Sequence, residues 1–150
     1  MKRRLAEAQE RGIGSLKPWS LRCSESTFQR TIERRVKARE FLGDHKSVKD
    51  YLATRLQCDE KILTHIFRKI PQMKHITVLK VKELLDFLYD VGYSPEEVCC
   101  TPRILTRSLR TVKARVVELE LLGITHPNLL VLCKTTKEYQ DLIRKLKHNQ

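Results

Sequence analysis

The stretch PQMKHITVLKVKELLDFLYDVG, residues 71–92, returns 31 positions later as PRILTRSLRTVKARVVELELLG, residues 102–123. Pro71 recurs as Pro102, Met73 as Ile104, Val81 as Val112 and Lys82 as Lys113. Leu85 recurs as Val116, Leu88 as Leu119, Val91 as Leu122 and Gly92 as Gly123. A fixed period of this size is the signature of a stacked repeat. One unit cannot bury its own apolar face, so neighbours stack and share a continuous core.

The local signals within the period are helical. Thr77 is placed to cap a helix over 78–91 with Val81, Leu84, Leu85, Leu88 and Val91 on one face, and Gly92 ends it. Ser94-Pro95-Glu96-Glu97 opens a short helix: a cap serine, proline in the first turn, and glutamate three after the serine. Thr101-Pro102 stops it, because the residue before proline resists helical geometry. The cycle then repeats as a short helix over 102–109, Thr111 as cap, a helix over 112–122, and Gly123. Upstream, the spacing predicts helices over 26–42, 48–57 and 59–69, with Ser47 capping the second. There the period loosens: Leu56-Gln57 matches Val91-Gly92 only at an offset of 35. Val36-Lys37-Ala38-Arg39 duplicates Val112-Lys113-Ala114-Arg115, a hint of a further degenerate repeat. A last helix, 136–147, carries Tyr139, Leu142, Ile143 and Leu146 at i, i+3, i+4 and i+7 and reads as a terminal cap. No stretch alternates strictly, so the expected class is all-α. Residues 1–24, broken by Gly12, Gly14 and Pro18, read as a flexible N-terminal arm anchored by Trp19, and 25–150 as the repeat domain.

Charge narrows the function. The chain of 150 residues carries 30 Lys and Arg against 18 Asp and Glu, a formal net charge of +12, which favours a polyanionic partner. No run of about 18 apolar residues exists to span a bilayer, and no helix joins a basic face to a large aromatic one, so a membrane is not an expected partner. The five cysteines (Cys23, Cys58, Cys99, Cys100 and Cys133) show no C-x-x-C spacing, and they read as free thiols of a reducing compartment. Ser, His and Asp form no catalytic constellation, and the five histidines no metal spacing, so neither an enzyme nor a cofactor or metal site is expected. Glu7 and Glu10 interrupt the basic start, and no presequence is read.

The candidate binding residues cluster around the repeat prolines. From Val98 to Val117 there are five basic residues and no acid: Arg103, Arg107, Arg110, Lys113 and Arg115. On one continuous helix Arg103, Arg107 and Arg110 would share a face. Arg103 follows Pro102 at a helix start, where the dipole repels a cation unless an anion lies near. The competing reading is a solvated basic face paired to Glu96, Glu97 and Glu118. Arg68, Lys69, Lys74 and His75 flank Pro71 in the same way, with Gln72 in the position of Arg103.

The proline-led short helix, the amphipathic helix ending at Gly92 or Gly123, and the stretch Thr101-Pro102-Arg103-Ile104-Leu105 through Leu122-Gly123 resemble the mitochondrial transcription termination factor (mTERF) family. The tail from Leu129-Leu130 through Lys137-Glu138-Tyr139 to Leu142 resembles its C-terminal end, and the likeness covers about residues 48–147. The resemblance implies a helical-repeat solenoid, a left-handed superhelix with two α-helices and a short 3-10 helix per repeat. It implies a mitochondrial, monomeric protein that binds double-stranded DNA through a basic groove in transcription termination or regulation. Binding to ribosomal RNA, or a basic scaffold for a protein partner, are the alternatives. The resemblance puts Arg103 first among the binding residues and matches Lys137 to the tail motif; Arg107, Arg110, Lys113, Lys74 and Arg68 join them from the charge pattern. Glu138 stands where the family pattern places another base.

Overall fold

A computed structural model describes residues 1–149 and divides the chain into two compact units, Met1–His45 and Lys46 onward. Among the described residues all regular secondary structure is helical, with no strand.

The first unit holds α1 (Lys2–Glu10), α2 (Pro18–Arg22) and α3 (Glu25–Leu42). Where the sequence suggested a flexible arm over 1–24, the helix breakers end helices instead of abolishing them. Gly12 takes φ +75°, a left-handed turn that suits glycine, and Pro18 opens α2 at its first position, where no amide donor is missed. Ala8, Ile13, Phe28 and Ile32 form a small core. Arg4 closes it, donating to the carbonyls of Leu21 (2.9 Å) and Cys23 (2.7 Å) with its guanidinium 4.9 Å above the Phe28 ring. Trp19, expected to anchor the segment, stays 53% exposed. Helix α3 belongs to this unit, so the observed boundary follows His45, not residue 24.

The second unit is the helical repeat. Its first turn of the period is α4 (Val48–Leu56), α5 (Glu60–Lys69) and the 3-10 helix η1 (Pro71–His75). The second is α6 (Val78–Asp90), α7 (Pro95–Cys100) and the 3-10 helix η2 (Pro102–Thr106). The third is α8 (Leu109–Leu121) and α9 (Leu129–Leu132), after which α10 (Thr136–His148) replaces the 3-10 turn.

Each element starts where side-chain chemistry places it. Ser47, Thr77 and Ser108 cap the long helices, 30 and 31 positions apart, each accepting from the amide three residues on. The sequence alone suggests Thr111 as the third cap. The structure moves it to Ser108, whose Oγ accepts from the Thr111 amide at 3.2 Å, and α8 begins three residues earlier than expected. Asp59, Ser94 and Asn128 cap the second helices, and Ser94 with Glu97 forms the expected capping box. At the far ends of α6 and α8, Gly92 (φ +102°) and Gly123 (φ +86°) take the left-handed turn.

The period is also the period of burial. Met73 and Ile104, the third residues of η1 and η2, are both buried, as are Leu84, Leu85 and Leu88 of α6 and Leu119 of α8. Removing a side chain of this kind typically destabilises by about 2–5 kcal/mol. Polar ties join one repeat to the next. Arg55 donates to Asp86, 31 positions on, at 2.7 Å, and the Tyr89 hydroxyl donates to the Arg55 carbonyl at 2.6 Å. Tyr93 donates to the Pro127 carbonyl across the following interval. Burial pushes the Tyr93 hydroxyl up to about 12, aided by Glu97 and Glu120, so it remains a donor at physiological pH.

Candidate nucleic-acid interface

The two 3-10 helices pack side by side because their prolines fall one period apart. Between them and the start of α6 lies a cleft of about 560 Å³. Its cationic lining is Lys69, Lys80, Arg103 and Arg107, with the His75 ring beside them, and among the described residues no carboxylate borders it. Gln72, Thr77 and Thr106 add polar groups, and Ile70, Pro71 and Ile76 give it an apolar floor. Clustered cations on low-dielectric walls concentrate positive potential, and a cleft of this sort attracts an anionic chain.

The cations differ in freedom. Arg103 is exposed, and among the described residues its guanidinium has no ion pair or hydrogen bond. Lys80 is half-buried and donates to the Thr106 carbonyl at 3.2 Å, tying α6 to η2. Arg107 is half-buried and donates to the Cys133 carbonyl at 2.5 Å, while its Nε is buried without a partner. Arg107 therefore holds the chain after α9 and lends charge to the cleft at the same time.

The other candidates from the sequence lie elsewhere. The 3-10 helix η2 ends at Thr106 and α8 starts at Leu109, so Arg103, Arg107 and Arg110 do not share the face of one helix. The five residues of η2 also carry too short a dipole to support the helix-start argument for Arg103. Arg110 borders a second cleft, between α8 and α10, with Arg144, Lys147 and the Tyr139 ring. Lys113 extends over the Phe87 ring, 5.4 Å from its centre. Arg68 lies on the outer face of α5 beside Glu60 and Lys61. Lys74 and Lys137 are exposed and border neither cleft.

Two residues in the cleft region had escaped functional assignment. Lys80 gave little signal, since Thr111 takes its place one period later. Arg115 gave a clear one. It falls three after Val112 and four before Leu119, inside the apolar stripe of α8, and the structure buries it to 6% exposure. Its guanidinium donates to the carbonyls of Leu132 (2.9 Å) and Lys134 (2.7 Å) and stacks 4.3 Å from the centre of the Tyr139 ring. Tyr139 in turn donates to Glu118 at 3.1 Å, and burial, with Glu118 beside it, pushes its hydroxyl up to about 12. The residue expected to be another base, Glu138, completes a capping box with Thr135, accepting from its amide at 3.0 Å. These tail residues build the C-terminal cap.

No family model matches the chain. Over 142 residues, 94% of its length, it is 35% identical to the transcription termination factor, mitochondrial, of Drosophila melanogaster. The match takes in 35% of that protein, so the chain spans about a third of the length of the curated relative it matches.

Proposed function

The chain belongs to the mitochondrial transcription termination factor family, and from that premise we propose that it binds double-stranded DNA in mitochondria to terminate or regulate transcription. The observation that carries the reading is the cleft between η1 and η2, where Lys69, Lys80, Arg103 and Arg107 converge without a carboxylate. Arg103 is the principal phosphate ligand, because its guanidinium is exposed and unspent. A planar fork of donors suits a phosphate better than the point charge of a lysine. Lys69 and Lys80 extend the track on one side and Arg107 on the other. Arg110, Lys113, Lys74, Arg68 and Lys137 act at most as peripheral contacts, at the reach of long side chains. Contacts of this type set affinity and register along a duplex and carry no sequence information by themselves. The role is one of binding and not of catalysis.

The test is a fluorescence-anisotropy titration of the purified chain on duplex DNA and on structured RNA of equal length, at several salt concentrations. Neutralising about four to five phosphates gives a log–log salt slope near −4. Arg103→Ala should shallow that slope by about one and weaken binding about tenfold. Lys61→Ala, on the outer face of α5, should change neither. Equal losses from the two variants would remove the cleft from consideration, and a preference for RNA would replace DNA as the ligand.

A further inference from the structure

The long helices α4, α6 and α8 pack directly on one another, but α10 stands off α8. Tyr139 bridges the two, stacked on Arg115 and donating to Glu118, and beside that bridge lies a cleft of about 690 Å³. Ala114, Tyr139 and Ile143 give it apolar surface, and Arg110, Arg144 and Lys147 stand around it. On the α8 side the cleft runs out into an apolar lip. Ala114, Val117 and Leu121 fall at i, i+3 and i+7, on one helix face with Arg110. Val117 is 56% exposed and Leu121 82%. One period earlier the same two positions are Asp86 and Asp90. The last long helix of the period has thus exchanged two carboxylates for two exposed aliphatic side chains. One exposed leucine means little, but a row of apolar residues rimmed by charge marks an interaction surface. From this arrangement we infer that the α8–α10 face docks an acidic amphipathic helix of a partner protein, on a surface that shares no lining residue with the η1–η2 cleft.

The occupant follows from shape and charge. A gap between two helices takes a third by an apolar stripe at i, i+3, i+4 and i+7. From Arg110 to Leu121 the α8 side runs about 16 Å, room for about three helical turns. The partner's stripe covers Val117 and Leu121, and its flanking carboxylates meet the cations. Arg110 and Lys147 have no ion pair among the described residues, and exposed Arg144 is held only by Asp141 at 3.5 Å. Glu118, the carboxylate in the lining, is engaged by the Tyr139 hydroxyl. A second copy of this chain fits poorly, because it brings the same net charge of +12. A phosphate backbone would satisfy the cations and gain nothing from Val117 and Leu121.

The experiment titrates the full, isotopically labelled chain with a synthetic helical peptide of about four turns, leucines at i, i+3, i+4 and i+7 and glutamates on both flanks. Amide chemical shifts locate the contact, and anisotropy of a fluorescent version gives the affinity. Shifts should gather on α8 and α10. Scrambling the leucine stripe, or replacing the glutamates by lysines, should weaken binding about tenfold or more. Leu121→Asp, which restores the residue type of α6, should weaken it about tenfold, and Lys147→Glu should weaken it as well. Leu121→Asp should leave duplex DNA affinity within about twofold, so the two surfaces are read apart. Absence of shifts at about 1 mM peptide, equal affinity for the scrambled sequence, or shifts confined to η1 and η2 would overturn the assignment. Duplex DNA that moves the α8–α10 amides and displaces the peptide would also overturn it, giving the face to nucleic acid. The wild-type shift map decides if a variant misfolds.

Discussion

Replacing Arg115 by methionine keeps most of the side chain's length and removes its guanidinium. In the folded protein that group is buried and donates to the carbonyls of Leu132 and Lys134, with no carboxylate paired to it among the described residues. Each such charge-assisted bond contributes about 1.5–3 kcal/mol, and the stacking on Tyr139 adds about 1 kcal/mol. Against these stands the desolvation of a cation, which methionine relieves and which already lowers the arginine's affinity for its proton. The net loss is about 2–3 kcal/mol. For a domain of this size that lowers the melting temperature by roughly 5–10 °C. Thermal unfolding followed by circular dichroism measures it, and hydrogen exchange at α9 and α10 should locate the loosening. Because the guanidinium faces inward, duplex affinity per folded molecule should be unchanged. A melting shift below about 1 °C, or an affinity loss larger than that of Arg103→Ala, would refute the assignment of Arg115 as an internal clamp.

Ser108→Ala should destabilise the second unit by about 1 kcal/mol and Thr111→Ala by less, a difference that urea titration resolves and that the reverse order would contradict. Asp86 titrates below the ordinary carboxylate value of 3.8: partial burial raises it, but hydrogen bonds from Lys82 and Arg55 outweigh that. A depressed pKa means that its stabilisation is present above the unfolded value and lost as pH falls through the folded one. Asp86→Asn should therefore be less stable than the wild type at neutral pH, and the two curves should converge below about pH 4. The carboxylate is well exposed, so the gap at neutral pH should be at most about 1 kcal/mol. Ile104→Ala should lower stability by about 2–5 kcal/mol, read by urea titration; a loss under about 1 kcal/mol would mean that η2 is not seated in the core.

Periodicity carried most of the fold. The apolar stripes of α6 and α8 face one core, so their spacing records the stacking directly. The cap of α8 shows how the same period could have been used further. One period after Thr77 stands Ser108, so the register itself names the cap, whereas Thr111 is one period after Lys80. The nature of the proline-led segments was not legible, since 3-10 and α geometry differ by one hydrogen-bond step that side-chain type hardly encodes. Helix α9 was missed because four residues are too few to show a stripe. At the candidate site, charge density grouped Arg103, Arg107 and Arg110, of which Arg103 and Arg107 line the cleft. The presence of Lys80 and the separation of Arg110 depended on where η2 ends, which composition does not reveal. Arg115 was the reverse case, grouped with surface cations although its place in the stripe marked it as internal.

The ties between repeats reach only about one period along the chain: 31 residues for Arg55 and Asp86, and 34 each for Tyr89 with Arg55 and Tyr93 with Pro127. A fold joined at such short range has little chain to close before each contact forms, so the second unit should refold within about milliseconds, without a slow topological search. Assembly can start at any repeat and spread to its neighbour. Loss of an end repeat should then cost one interface and leave the remainder able to form, which makes the array length something that evolution can trim.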